Sequence, residues 1–392
     1  MNELLGYRRP DGKFGIRNIV LVMSTVGCAN ETVERIAREV DGAIAILNQK
    51  GCGQVGGSME ILRRTMTGFA ANPNVYGTII VGLGCETNKP TVIEERIKAI
   101  TNKPLEVLTI QDVGGTTKTI EKGIELTCNM VAEMNHVPLS KGSISEIILA
   151  TNCGGSDATS GLSPNPALGL CSDMIIEQGG TVILGETTEL IGTEHLLARR
   201  AKDEKTAQTI LDLVHGLEET FAKMNINVRG ANPTPGNMAG GLSTLEEKSL
   251  GGISKLGHTT INQVVKYGEI PSEKGAIIMD TPGYDIESVS AMVAAGAQIC
   301  VFTSGRGNPI GNAIIPVIKI TGNENTARTM LDNIDLDLSG ILSGELTMTE
   351  GGRKIFEQLI AICNGRLTKS EINGFREIAI YRNYEVWCCN LQ

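Results

Sequence analysis

The chain has 392 residues, of which 41% are hydrophobic, 20% charged and only 3% aromatic, with 47 glycines and a formal net charge of −9. That length exceeds what one ordinary core accommodates and points to two or three domains. The acidic balance argues against nucleic-acid binding, which needs a basic surface, and no 18-residue apolar stretch exists to span a membrane. The opening MNELLGYRRPDGKFG lacks the apolar centre of a signal peptide, so a cytoplasmic location is expected.

Short apolar runs rich in β-branched residues recur along the chain, beginning with Ile19–Ser24, Ala43–Leu47, Thr78–Leu83 and Leu105–Ile110. Amphipathic helical patterns fall between and after them, at Ala29–Val40, Ser58–Ala70, Thr91–Ile100 and Thr116–Met134. Continuous apolar strands alternating with helices predict a parallel sheet covered on both faces. This unit is expected to occupy residues 1–140 and to end at the polar stretch LSKGS.

The pattern restarts with strands at Glu146–Thr151, Thr181–Leu184, Ala276–Met279, Gln298–Thr303 and Ile315–Ile320. Helices are expected at Asn165–Gln178, Glu189–Ala201, Lys205–Met224, Asp285–Ala295 and Glu350–Asn364. A second α/β domain over residues 141–392 follows, interrupted by the Gly-, Pro- and Asn-rich insert 227–257. Irregular segments of that length usually carry function.

Ten cysteines in a chain expected to be cytosolic are seldom disulfides. Cys28, Cys52, Cys85 and Cys153 each follow an expected strand, where the loops of a parallel sheet bind ligands. Thiolates gathered there suit iron–sulfur clusters, zinc or copper(I), and inert packing is the alternative, since no CxxC pair is present. Cys128, Cys171, Cys300 and Cys363 read as structural, and Cys388 and Cys389 have no assigned role.

The polar motifs lie in the second unit. CGGSDATSGLSPNPALG carries Ser156 and Asp157 in a segment that reads as an anion nest or as an ordinary capped turn. GETTELIGTEHLLARRA carries Glu194 and His195, about 100° apart on a helix, so they cannot form an i, i+4 metal pair. The insert carries Asn232, Asn237 and Lys248, with a capping-box spacing from Ser243 to Glu246. MDTPGYD and TSGRGNPIG place Asp280, Tyr284, Asp285 and Arg306 directly after strands, and Arg306 has the fork that binds a carboxylate. GLGCET lacks the third glycine of a dinucleotide fingerprint, and neither a P-loop nor GxSxG occurs.

The blocks GYRRPDGKFGIRN, GLGCE, CGGSD, NPALG, ETTELIGTEHLLARRA, NPTPGN, EEKSLG, MDTPGYD and FTSGRG together resemble the altronate/galactarate dehydratase family over nearly the whole chain. Single-chain members of that family carry a small N-terminal β-clip domain. This chain opens directly at GYRRPDG, which resembles the split arrangement with a separate small subunit, shared by sulfolactate sulfo-lyase. The resemblance implies a hydro-lyase that eliminates water from an altronate- or galactarate-like acid to give a 2-keto-3-deoxy acid. It also implies iron, as Fe²⁺ or an iron–sulfur cluster, and a homo-oligomeric assembly is expected.

On this reading Cys28, Cys52, Cys85 and Cys153 are the expected metal ligands. His195, Lys248 and Glu194 are the expected catalytic groups. Ser156, Asp157, Asn232, Asn237, Asp280, Tyr284 and Arg306 are expected to hold substrate. His195→Gln is expected to abolish turnover without loss of metal. The competing readings are a sulfo-lyase releasing sulfite and, from another class, a non-enzymatic metal or cluster carrier.

Overall fold

The computed structural model describes residues 3–54 and 56–382, so Cys388 and Cys389 lie outside the described residues. The strands of the first part are β1 (Leu4–Arg8), β2 (Phe14–Gly15), β3 (Ile19–Ser24), β4 (Ala43–Ile46), β5 (Val75–Gly82), β6 (Leu105–Thr109) and β7 (Leu139–Gly142). Those of the second are β8 (Ile148–Cys153), β9 (Thr181–Leu184), β10 (Ile261–Val265), β11 (Gly275–Met279), β12 (Ile299–Thr303), β13 (Val317–Thr321) and β14 (Leu336–Asp337). They form a parallel four-stranded sheet ordered β4-β3-β5-β6 and a parallel seven-stranded sheet ordered β10-β11-β9-β8-β12-β13-β14. The fold is the expected α/β arrangement of parallel sheets flanked by helices.

A third, antiparallel sheet β2-β1-β7 joins the N-terminal segment to the chain that links the two larger sheets. Its strands are short, β1 and β7 are partly exposed while β2 is buried, and the stretch LSKG, expected to be a polar boundary, is in fact β7. The two parallel sheets share an apolar core through the helices Gly57–Ala71 and Asp285–Ala294. Gly68 sits so close to the second helix that a Cβ there would meet the Ala294 carbonyl oxygen at 2.1 Å, so only glycine allows this crossing.

Several local expectations need correction. The expected helix Glu189–Ala201 is a 3₁₀ turn, Thr187–Glu189, followed by the short helix Glu194–Ala198, with Gly192 at φ +85° between them. The insert is not an open loop: it folds into the helices Val228–Ala231, Pro235–Ala239 and Leu245–Ser254. The last of these is capped by Thr244, which accepts from the Glu247 N–H, one residue later than the Ser243–Glu246 spacing suggested. Cys128 faces out from the helix Thr116–Asn135 and packs in no core, whereas Cys171, Cys300 and Cys363 are buried.

In both parallel sheets the chain reverses the side on which it adds successive strands. β8 is followed in the chain by β9 on one side, while β12 lies on its other side. Loops leaving neighbouring strands in opposite directions open a crevice at their carboxyl ends, the usual ligand site of such sheets. The first sheet has its own reversal between β3 and β5.

Candidate active site

At the carboxyl edge of the seven-stranded sheet lies a cleft of about 470 Å³ lined by Cys153, Ser156, Glu189, Lys248, Asp285 and Arg306, among others. These come from the ends of β8, β9, β11 and β12 and from the insert. A second cleft of about 550 Å³ shares Cys153, Ser156 and Lys248 with the first, so Lys248 stands where the two meet.

The insert helix is what brings cations to this edge. Lys248 and Lys255 are seven residues apart, two helical turns, and so share a face. They meet two glutamates set three residues apart around the 3₁₀ turn. Lys248 Nζ lies 2.8 Å from Glu189 Oε1, and Lys255 Nζ lies 2.6 Å from Glu186 Oε2. Lys255 also donates to Cys153 Sγ at 2.8 Å. The Cys153 N–H and thiol both point at Glu186 Oε2, at 3.0 and 3.5 Å, and the thiol lies 3.1 Å from Glu189 Oε2.

Burial and charge set the protonation of this group. Burial, reinforced by the charges of Glu186 and Glu189, pushes the Cys153 thiol well up, so it stays protonated. Burial also raises Glu186, against the pull of Lys255. For Glu189 burial acts in the same direction, but Lys248 and Lys255 overcome it and hold that carboxylate below its ordinary value. Burial disfavours both ammonium groups, yet the surrounding anions win and raise Lys248 and Lys255 above the usual lysine range.

Lys248 uses its three donors fully: besides Glu189 it reaches Asn232 Oδ1 at 3.0 Å and Asn237 Oδ1 at 3.3 Å. Asn237 is itself locked by a capping box with Thr234 and donates to the Ser156 carbonyl at 2.9 Å. Asn232 and Asn237, expected to hold substrate, both accept from Lys248, and Asn237 also lines the cleft.

Asp285 begins the helix after β11. Its carboxylate accepts from Asn152 Nδ2 and Asn308 Nδ2, each at 3.1 Å. Burial first, then the nearby Glu186 and Glu189 charges, push its pKa up to about 7. The group fits only because residue 154 is glycine, where a Cβ would lie 2.4 Å from Asp285 Oδ2. Arg306 is exposed, lines the same cleft, and is steadied by one donor to the Gly236 carbonyl at 2.8 Å.

Ser156 lines both clefts and Asp157 the second, both buried, with Asp157 bound to Thr159, Ser160 and the Asn323 amide. The remaining expected residues are dispersed. Asp280 accepts from Thr187 Oγ1 at 2.9 Å, and Tyr284 is exposed; neither is among the residues lining the cleft. His195 is exposed on its short helix outside the cleft, and Glu194 faces His215 at 4.0 Å. Cys28, Cys52 and Cys85 are exposed at the edge of the other parallel sheet, while Cys153 alone of the four joins the cleft. The sequence places Asp285 at a strand end without assigning it a role, and Glu186, Glu189 and Lys255 are not among the expected site residues. The seven-residue lysine spacing beside a Glu-x-x-Glu turn was the available signal.

Cys153, Glu186 and Glu189 could hold a metal ion. Each offers a ligand atom within 4.8 Å of the others, and Glu186 Oε1 is buried with no hydrogen-bond partner. A buried acceptor left unpaired costs about 1–3 kcal/mol, and a cation would satisfy it. One thiol and two carboxylates suit a divalent transition metal, and ligation would displace the thiol proton. Glu186 also sits at φ +66°, a left-handed conformation that a non-glycine residue adopts at a cost and that concentrates at functional sites.

Known proteins match this chain over most of its length. Residues 6–135 match the family model described as D-galactarate dehydratase/altronate hydrolase, second domain, and residues 144–386 match D-galactarate/altronate dehydratase, C-terminal. The chain is 36% identical over 385 residues to the (2R)-sulfolactate sulfo-lyase subunit beta of Chromohalobacter salexigens, covering 97% of each. It is 34% identical to the altronate dehydratase of Bacillus subtilis, covering 96% of this chain and 77% of that one. It is 31% identical to the galactarate dehydratase (L-threo-forming) of Escherichia coli, covering 92% and 72%.

Proposed function

Because the chain belongs to the D-galactarate/altronate dehydratase family, we propose that it is a lyase removing water from a hydroxylated sugar acid in the Arg306–Lys248–Asp285 cleft. The observation that carries this reading is Asp285, a carboxyl pushed up to about 7 and facing the same cleft as an ammonium and a guanidinium. A base whose pKa lies near the working pH combines an available carboxylate with useful proton affinity.

Arg306 would pair with the substrate carboxylate, and Asp285 would take the proton from the adjacent carbon. The electrons of that C–H bond become the new C=C bond, and the C–O bond at the next carbon breaks. Lys248, kept an ammonium by Glu189, would turn one N–H from its asparagine acceptors to the departing hydroxide and give it that proton, so water leaves. The enol then ketonises to a 2-keto-3-deoxy acid. The positive charge of Arg306 and Lys248 faces the carboxylate as it gains enediolate character. A divalent ion such as Fe²⁺ held by Cys153, Glu186 and Glu189 would supply Lewis acidity toward the leaving oxygen.

The end-to-end match to a sulfo-lyase subunit supports a second reading, in which sulfite is the leaving group, and that relative's name supports a partner subunit for this chain. One assay separates the readings. The protein is incubated with aldonates, aldarates and sulfolactate, and keto acid and sulfite are both measured. Keto-acid formation from a sugar acid supports the dehydratase. Sulfite release from sulfolactate with no sugar-acid turnover replaces it with the sulfo-lyase.

A further inference from the structure

The reaction described above engages one end of a substrate and gives the second cleft no part. That cleft, about 550 Å³, shares Cys153, Ser156 and Lys248 with the first. An acid whose carboxylate sits on Arg306 and whose reacting carbons face Lys248 therefore has its remaining carbons directed past Ser156 into the second cleft. Ser156 is only 4% exposed, and its hydroxyl meets no partner among the described residues. A buried hydroxyl without a partner is costly, and a substrate hydroxyl at this junction would satisfy it.

The two clefts differ in charge. The first sets Arg306 and Lys248 against Glu189 and Asp285. The second is lined by three carboxylates, those of Asp157, Glu246 and Glu247, and Lys248 is the one cation among its lining residues. That ammonium is already balanced by Glu189 at 2.8 Å. Hydrogen bonds from Ser243 hold Glu247 below its ordinary carboxylate range, and those from Arg229 do the same for Glu246, so both are charged at neutral pH. Arg229 is committed to this rim's own acid, at 2.8 Å from Glu246, and also pairs with Glu218.

A second anionic end placed in this cleft meets like charge and finds no free cation. Like charges brought together this way exclude a ligand more effectively than any missing contact. An uncharged, hydroxylated end meets carboxylate oxygens that accept from its O–H groups and the apolar side chains of Leu162, Leu242 and Leu250 along its carbons. An acid too short to pass Ser156 leaves the whole cleft unused.

We propose that the second cleft is a subsite for an uncharged polyhydroxyl tail, so that this chain selects long aldonates over diacids of the same length and over short hydroxy acids. The inference rests on the lyase reading and narrows it. Isothermal titration with Asp285→Asn, chosen so that the acids are not consumed, measures a hexonate, the hexarate of matching configuration and glycerate. Turnover of the same acids is followed with the parent protein. The hexonate is expected to bind at least about tenfold more tightly than either of the others. Leu250→Lys, added to the Asp285→Asn protein, puts a cation at a residue that is 52% exposed and lines the second cleft. It should raise hexarate affinity at least about tenfold and leave glycerate affinity unchanged. Hexonate binding no tighter than that of the hexarate or of glycerate would overturn the proposal, even where the parent forms keto acid from all of them. So would a hexarate affinity that Leu250→Lys does not move. Absence of keto acid from every sugar acid would instead overturn the lyase reading, with the binding order still deciding the subsite.

Discussion

Lys255 Nζ lies 2.6 Å from Glu186 Oε2, and both side chains are 1% exposed. Neither charge has water to fall back on, so removing one leaves the other stranded. Lys255→Met is expected to destabilise the fold by about 3–5 kcal/mol, measured by urea unfolding. Pairing it with Glu186→Leu should recover part of that loss. A Lys255→Met protein as stable as the parent would show that the pair is not buried as described.

Asp285 makes activity and stability respond to pH in opposite directions. Its carboxyl is raised to about 7, so folding favours the protonated form. That contribution is complete below the unfolded carboxyl value of about 4 and is lost as pH rises through about 7. Proton abstraction needs the carboxylate, so kcat/KM should instead rise with pH up to about 7. A pH profile of kcat/KM beside urea midpoints at the same pH values checks both slopes. Asp285→Asn should flatten this component of the stability curve.

Arg306 reaches the cleft with its fork, and a lysine there offers one point charge in place of two parallel donors. Arg306→Lys is expected to raise KM by about tenfold with a smaller change in kcat, the pattern of lost ground-state binding. A fall in kcat alone would place Arg306 at the reacting atoms instead.

Glu189 ties the metal question to Lys248, because one carboxylate oxygen faces the ammonium and the other faces the Cys153 thiol. Cys153→Ser is expected to lower divalent metal bound at this cleft by at least about tenfold, read by isothermal titration with Mn²⁺. Unchanged affinity would remove these three residues as ligands.

The sheets were legible because their strands are continuous apolar runs: IVLVMS and the run TIIVGL fall within about a residue or two of β3 and of the end of β5. The strands that were missed, β1, β2, β7, β10 and β14, are short or carry polar, half-exposed residues with no such run. At the site, Lys248 and Arg306 were legible from their place in a Gly/Pro-rich insert and a strand-end loop. The weight given to His195 came from its residue type, and a single helical pattern concealed the break at Gly192 that leaves it outside the cleft. Asp285 was visible in MDTPGYD, but its raised pKa depends on Glu186 and Glu189, a hundred residues earlier in the chain, and no local pattern encodes that proximity.

The most direct test of the account compares Asp285→Asn and His195→Gln with the parent protein for keto-acid formation from the preferred sugar acid. Asp285→Asn should lose at least about a hundredfold in kcat while remaining folded, and His195→Gln should stay within about twofold of the parent. Full activity in Asp285→Asn, with the loss falling on His195→Gln, would contradict the placement of the reaction in this cleft.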